Sequence, residues 1–235
     1  SQNTLRTTIK RGSNQDPNAP TGDISGFQNN IWYHIAFVRN NDTGKLLGYK
    51  DGVLEFNETD NFGDISNSRN WYIGKYSTYY VNGLIDDIRI YNHALTEAEI
   101  TGFYCDGGWC EQQDGIVAYY PFNGNANDES GNNNHLDEYG EVELTTDRFD
   151  QANQAYYFDG IDDYLRKENF DLTINDFSLS IWVNPDEMPD WYKMAFSIHS
   201  GGPGINKGDQ NITVQLYNDS DVNQLVGVLT TTDGE

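Results

Sequence analysis

The feature that most constrains this chain is strict two-residue alternation of apolar side chains. Residues 176–184 read DFSLSIWVN, with Phe177, Leu179, Ile181 and Val183 on one face of an extended segment. Residues 31–39 (IWYHIAFVR) place Ile31, Tyr33, Ile35 and Phe37 on one face and Trp32, Ala36 and Val38 on the other, which predicts a strand covered on both sides. In KLLGYK-DG-VLEF, Asp51-Gly52 stands between two strand-like runs. Both central residues of a type I′ turn need positive φ, so this pair predicts a hairpin. Ten further short runs, from 5–11 to 224–230, also read as strands. Helix is minimal: ALTEAEI, residues 94–100, with Thr96 and Glu99 as a capping box. Many short strands and one helical turn predict an all-β fold, a two-sheet antiparallel sandwich of jelly-roll type.

Charge narrows the function. Asp and Glu number 37 against 14 Lys and Arg, a formal net charge of −23. Phosphate recognition needs clustered cations, and there is no Lys/Arg run, so nucleic acid is excluded as a partner, and an anionic membrane surface is disfavoured. No apolar stretch approaches the ~18 residues of a membrane-spanning helix. The opening segment, Ser1 to Arg11, is too polar for a signal peptide. Aromatic content of 14%, with 16 Tyr, argues against disorder. With 27 Asn, the composition fits a loop-rich secreted β protein. Cys105 and Cys110 in CDGGWC are close enough for a small disulfide loop in an oxidising compartment, with two free thiols as the alternative.

Longer segments carry a resemblance. VNGLIDDIRIYNHALTEAEI, residues 81–100, resembles the closing signature of the laminin G-like, concanavalin A-like jelly-roll family. Residues 32–36 (WYHIA) and 49–52 (YKDG) are similar to its middle strands. DGIVAYYPFNGNANDESG, residues 114–131, resembles its opening strand and loop, and FDGIDDY (158–164) and residues 177–182 follow in family order. The order is inverted: residues 1–104 resemble the closing half of the sandwich, 105–113 form a connector, and 114–235 resemble the opening half. The halves are expected to make one complete domain, or to be shared between neighbouring repeats. Closure within the chain would bring Ser1 and Glu235 together at a polar loop.

Chemistry for catalysis is missing from the sequence. The resemblance to fold-sharing glucanases implies Glu-x-Asp-x-x-Glu on one strand, and no such run occurs. His34, His93, His135 and His199 have no metal-binding spacing, and His34 follows strand register as a packed residue. The expectation is therefore not an enzyme. The loop 123–132 (NGNANDESGN) is rich in hard oxygen donors. The resemblance implies a structural calcium ion (Ca2+) there, with Asp128 and Asp86 as carboxylate ligands and Asn123, Ser130 and Asn132 as neutral ones. Asp159, Asp162 and Asp163 read as a solvated turn. Asn41, Asn57, Asn211 and Asn218 head glycosylation sequons, which matter only in a eukaryotic secretory pathway. Tyr76, Tyr79, Tyr80, Trp191 and Tyr192 are candidate sugar-stacking aromatics. Together these point to a non-catalytic adhesion module of a repetitive extracellular or cell-surface protein, bacterial in type, binding a glycan or a surface protein. The alternatives are a structural repeat in a filament of end-to-end copies, or a carbohydrate-targeting module appended to an enzyme.

Overall fold

The computed structural model describes residues 3–11, 21–60, 65–76, 79–105, 114–174, 176–186, 193–198, 211–219 and 222–231. The strands are β1 (Asn3–Arg11), β2 (Thr21–Ser25), β3 (Tyr33–Asn40), β4 (Lys45–Lys50), β5 (Val53–Thr59), β6 (Ile65–Ile73), β7 (Lys75–Tyr76), β8 (Tyr79–Tyr80) and β9 (Asn82–Tyr91). Helix α1 (Glu97–Cys105) follows. Then come β10 (Ile116–Tyr120), β11 (Asp137–Tyr139), β12 (Glu143–Thr145), β13 (Ala155–Asp159), β14 (Tyr164–Ile174), β15 (Phe177–Pro185), β16 (Lys193–Ile198), β17 (Asn211–Asp219) and β18 (Val222–Thr231).

Two large sheets result. One runs β11-β14-β6-β16-β17-β18-β1-β2. The other runs β12-β13-β9-β15-β3-β4-β5, with β10 sharing the edge of β9 that β13 also pairs with. Strands from both sides of residues 105–113 are interleaved: β9 is hydrogen-bonded to β10, β13 and β15, all from beyond residue 113. Alternation explains the core between the sheets. Tyr33, Ile35 and Phe37 of β3 and Phe177, Leu179, Ile181 and Val183 of β15 meet Trp71 and Ile73 of β6 and Leu165 and Phe170 of β14. The architecture is an all-β jelly-roll sandwich with one short helix among the described residues.

The opposite face of the β9-β15-β3 sheet is also covered. Ala36, Val38, Tyr49 and Tyr91 pack under Leu95, Ile100 and Phe103, so α1 lies on that face. The Thr96–Glu99 capping box forms as expected. The Thr96 N–H donates to Glu99 Oε2 at 2.7 Å and the Glu99 N–H to Thr96 Oγ1 at 3.3 Å. The helix starts later and runs longer than residues 94–100, because Ile100 and Phe103 gain a sheet to pack on. Asp51 and Gly52 both take positive φ, 52° and 77°, and join β4 to β5. One expectation fails at a boundary: Ile31 precedes β3 and is exposed.

The expected closure at the chain ends meets a parallel pair. Asn3 stands opposite Asn223 and Arg11 opposite Thr231. Asn3 and Thr231 therefore lie at opposite ends of the β1–β18 pair, about 26 Å apart at ~3.3 Å per residue. Ser1 and Glu235 themselves lie outside the described residues.

Candidate functional site

The loop after β10 is knitted back onto that strand by its own polar side chains. Asp128 Oδ1 accepts from the N–H groups of Tyr119 and Ser130, both at 2.9 Å. Its Oδ2 accepts from the Ser130 hydroxyl and the Asn134 N–H, both at 2.9 Å. Asn132 turns its amide nitrogen to the carbonyls of Ile116 and Val117, at 2.9 and 3.1 Å. Asn123 accepts the Asn125 amide through its main-chain carbonyl. Asp86 engages the Arg148 guanidinium in a buried ion pair. These residues do not fit the calcium set that the resemblance implies. Calcium takes six to eight oxygens. The four lone-pair directions of Asp128 already hold N–H and O–H donors, Asn132 presents nitrogen, and Asp86 faces a cation of its own.

A second acidic group is real but differently employed. Asp159, Asp162 and Asp163 bring carboxylate oxygens within 4.8 Å of one another. Asp163 is buried, not solvated as expected, and joins two turns. Its Oδ1 accepts from Glu141 N–H at 2.8 Å and its Oδ2 from Asp159 N–H at 3.0 Å. Burial pushes the Asp163 carboxyl above the usual range, against the pull of those two donors.

A buried polar cluster lies on the helix-covered face, beside α1. Between Ser180 and Trp182 of β15 the register with β9 slips by one residue, and Asp87 takes φ of 50°. The extra residue is a β-bulge, so Asp86 and Asp87 both leave the core side while Ile85 and Ile88 stay on it. Arg148 forks onto the pair: one guanidinium nitrogen meets Asp86 Oδ2 and the other lies 3.0 Å from Asp87 Oδ2. Arg89 reaches Asp87 Oδ1 at 3.0 Å and lies 4.8 Å over the Tyr119 ring. Burial pushes Asp86 up to about 8; neighbouring Asp87 adds to the rise and the Arg148 guanidinium opposes it.

An aromatic ledge roofs this cluster. Arg148 lies 4.4 Å over Trp182 and 4.5 Å over Phe149. Tyr104, at the end of α1, stacks on Trp182 with ring centres 6.1 Å apart and planes 17° from parallel. Phe149 is 51% exposed and Tyr104 41% exposed, and Val53 and Leu54 of the adjoining hairpin are exposed too. Sequence reading missed Tyr104, Phe149 and Trp182 as candidates. Of those it named, Tyr80 flanks Lys75, whose ammonium lies 5.1 Å from its ring and 4.0 Å from that of Tyr164. Tyr164 in turn stacks on Tyr139, and Arg166 lies 4.4 Å over that ring. The side chains of Tyr76 and Tyr79, together with Trp191, Tyr192, Cys110 and the thiol of Cys105, lie outside the described residues.

Below Trp182, His34 is fully buried and its Nε2 lies 2.8 Å from Ser180 Oγ. Burial drives His34 down to about 3, and the Arg89 and Arg148 charges add to the effect. The folded state thus keeps His34 neutral while the unfolded chain takes a proton below about 6.5. Its contribution to stability is complete above that pH and falls as pH drops towards 3, at ~1.4 kcal/mol per unit. Urea midpoints at pH 6.5 and 4.5 should show His34→Gln spared about 2 kcal/mol of the acid loss seen in the parent. Parallel pH profiles for the two proteins would contradict this.

Residues 1–101 match a laminin G family model described as Concanavalin A-like lectin/glucanases superfamily. That segment of the chain is laminin G-like. The match covers the segment holding β9, with its Asp86–Asp87 bulge, and most of α1. A search of curated proteins found no match to the chain. A laminin G-like, concanavalin A-like domain is a binding module in general terms.

Proposed function

We propose that this laminin G-like domain is a non-catalytic extracellular recognition module, serving adhesion by holding a neutral glycan against the ledge of Tyr104, Trp182 and Phe149. The observation that carries the reading is the exposure of the Tyr104 and Phe149 rings beside buried charge. A pyranose offers one apolar face, which suits stacking on an exposed ring. The chain's charge of −23 disfavours uronate or sulfated ligands. The non-catalytic reading rests on the sequence, and the Ser180–His34 pair beneath Trp182 is buried.

Binding to an array of neutral oligosaccharides tests this. Tyr104→Ala and Phe149→Ala should each weaken the best ligand about tenfold, the equivalent of ~1.4 kcal/mol of lost ring contact. Retained affinity in both variants, or no neutral glycan bound, would refute the assignment. Concentration-dependent chain association that neither variant alters would favour the filament subunit.

A further inference from the structure

The bulge in β9 sets an electrostatic problem. It turns Asp86 and Asp87 to the same side, where both are less than a tenth exposed, in a chain already carrying excess negative charge. Two adjacent buried carboxylates are untenable unless cations meet them. In this fold the resemblance leads one to expect a metal ion near Asp86. The oxygens tell otherwise. Asp86 Oδ2 and Asp87 Oδ2 both accept from Arg148, and Arg89 lies 3.0 Å from Asp87 Oδ1 as an ion pair that leaves this buried oxygen without a hydrogen bond.

The presentation of Arg148 is itself built. Asp147 Oδ1 accepts from the N–H groups of Phe149 and Gln151, at 2.8 and 2.7 Å, and the Asp147 N–H donates to Gln151 O at 3.0 Å. This closed turn directs Arg148 inwards and leaves Phe149 at the surface. Trp182 then packs against the guanidinium plane at 4.4 Å.

We infer that Arg148 is the built-in counter-cation of the Asp86–Asp87 bulge, so that the domain reaches its full stability with no divalent metal. A planar fork satisfies two carboxylates at once, as a point charge on a lysine does not. The inference stands apart from glycan binding, since its readout is stability alone.

The experiment is thermal unfolding in chelator and in millimolar calcium, for the parent, Arg148→Met, Arg148→Lys and the Arg148→Met/Asp86→Asn pair. A structural site filled at a hundredfold its Kd would raise the melting temperature of a chain this size by roughly 5–10 °C. The parent should melt at one temperature in both solutions; a calcium-dependent rise of that size would overturn the inference. Arg148→Met should melt roughly 5–10 °C lower, with Arg148→Lys between it and the parent. Adding Asp86→Asn to Arg148→Met should recover part of the loss by removing a buried carboxyl that has lost its partner. If Arg148→Met does not fold, the double variant decides. A folded double variant supports the inference, and one as damaged as the single variant overturns it.

Discussion

Asp128→Asn should cost about 3–5 kcal/mol, the largest loss for any single atom replaced in the loop after β10. The two oxygens of Asp128 accept three backbone N–H groups and one hydroxyl. An asparagine keeps one acceptor and points an NH2 at two of those donors, whichever way its amide turns. Each buried donor left without a partner costs roughly 1–3 kcal/mol, and bonds to a charged acceptor are the stronger kind. For 235 residues this is a fall of roughly 6–20 °C in melting temperature. Ser130→Ala removes one hydroxyl donor and should cost only ~1 kcal/mol. Urea unfolding of the two variants checks the ratio. A loss below ~1 kcal/mol for Asp128→Asn would mean the loop holds without its carboxylate.

A comparable effect is expected at the far side of β3. Arg39 is entirely buried, and its Nε donates to Asp60 Oδ2 at 2.5 Å. Asp60 is placed by the end of β5, where its N–H donates to the Gly44 carbonyl at 2.8 Å. Asp60→Ala strands a guanidinium in the interior and should destabilise by about 3–5 kcal/mol. Arg39→Met in the same background should return most of that loss, because an uncharged side chain of similar length needs no counter-ion. The cycle of two single variants and the double, read by denaturant midpoints, gives the coupling directly. Simple additivity of the two single losses would show that the pair does not act as a unit.

The fold was legible because its strands are amphipathic in the simplest sense. Phe177, Leu179, Ile181 and Val183 reach the core as their spacing predicts, Asp51-Gly52 makes its turn, and Thr96 caps with Glu99. The site was less legible, for two physical reasons. Asp, Asn and Ser accept from backbone N–H groups with the same oxygens they would offer a cation. The composition of residues 123–132 therefore does not separate a metal loop from a self-bonded one. The ledge escaped because Tyr104, Phe149 and Trp182 are far apart in sequence and meet only through the β9–β15 pairing and the cover of α1. One signal was available. In IDDIRI, Ile85 and Ile88 stand three apart where a regular strand demands two, and that misstep is the bulge that turns both aspartates towards Arg148.

The parallel alignment of β1 with β18 has a mechanical consequence. Tension entering at Asn3 and leaving at Thr231 would pull the two strands lengthwise past each other, because those residues sit at opposite ends of a nine-residue register. The rungs of that ladder would then bear the force together, in shear. A hairpin pulled from its open end, by contrast, peels one rung at a time. A chain loaded through these two strands would resist most strongly along the strand axis, and would yield first wherever the force acts across the sheet instead.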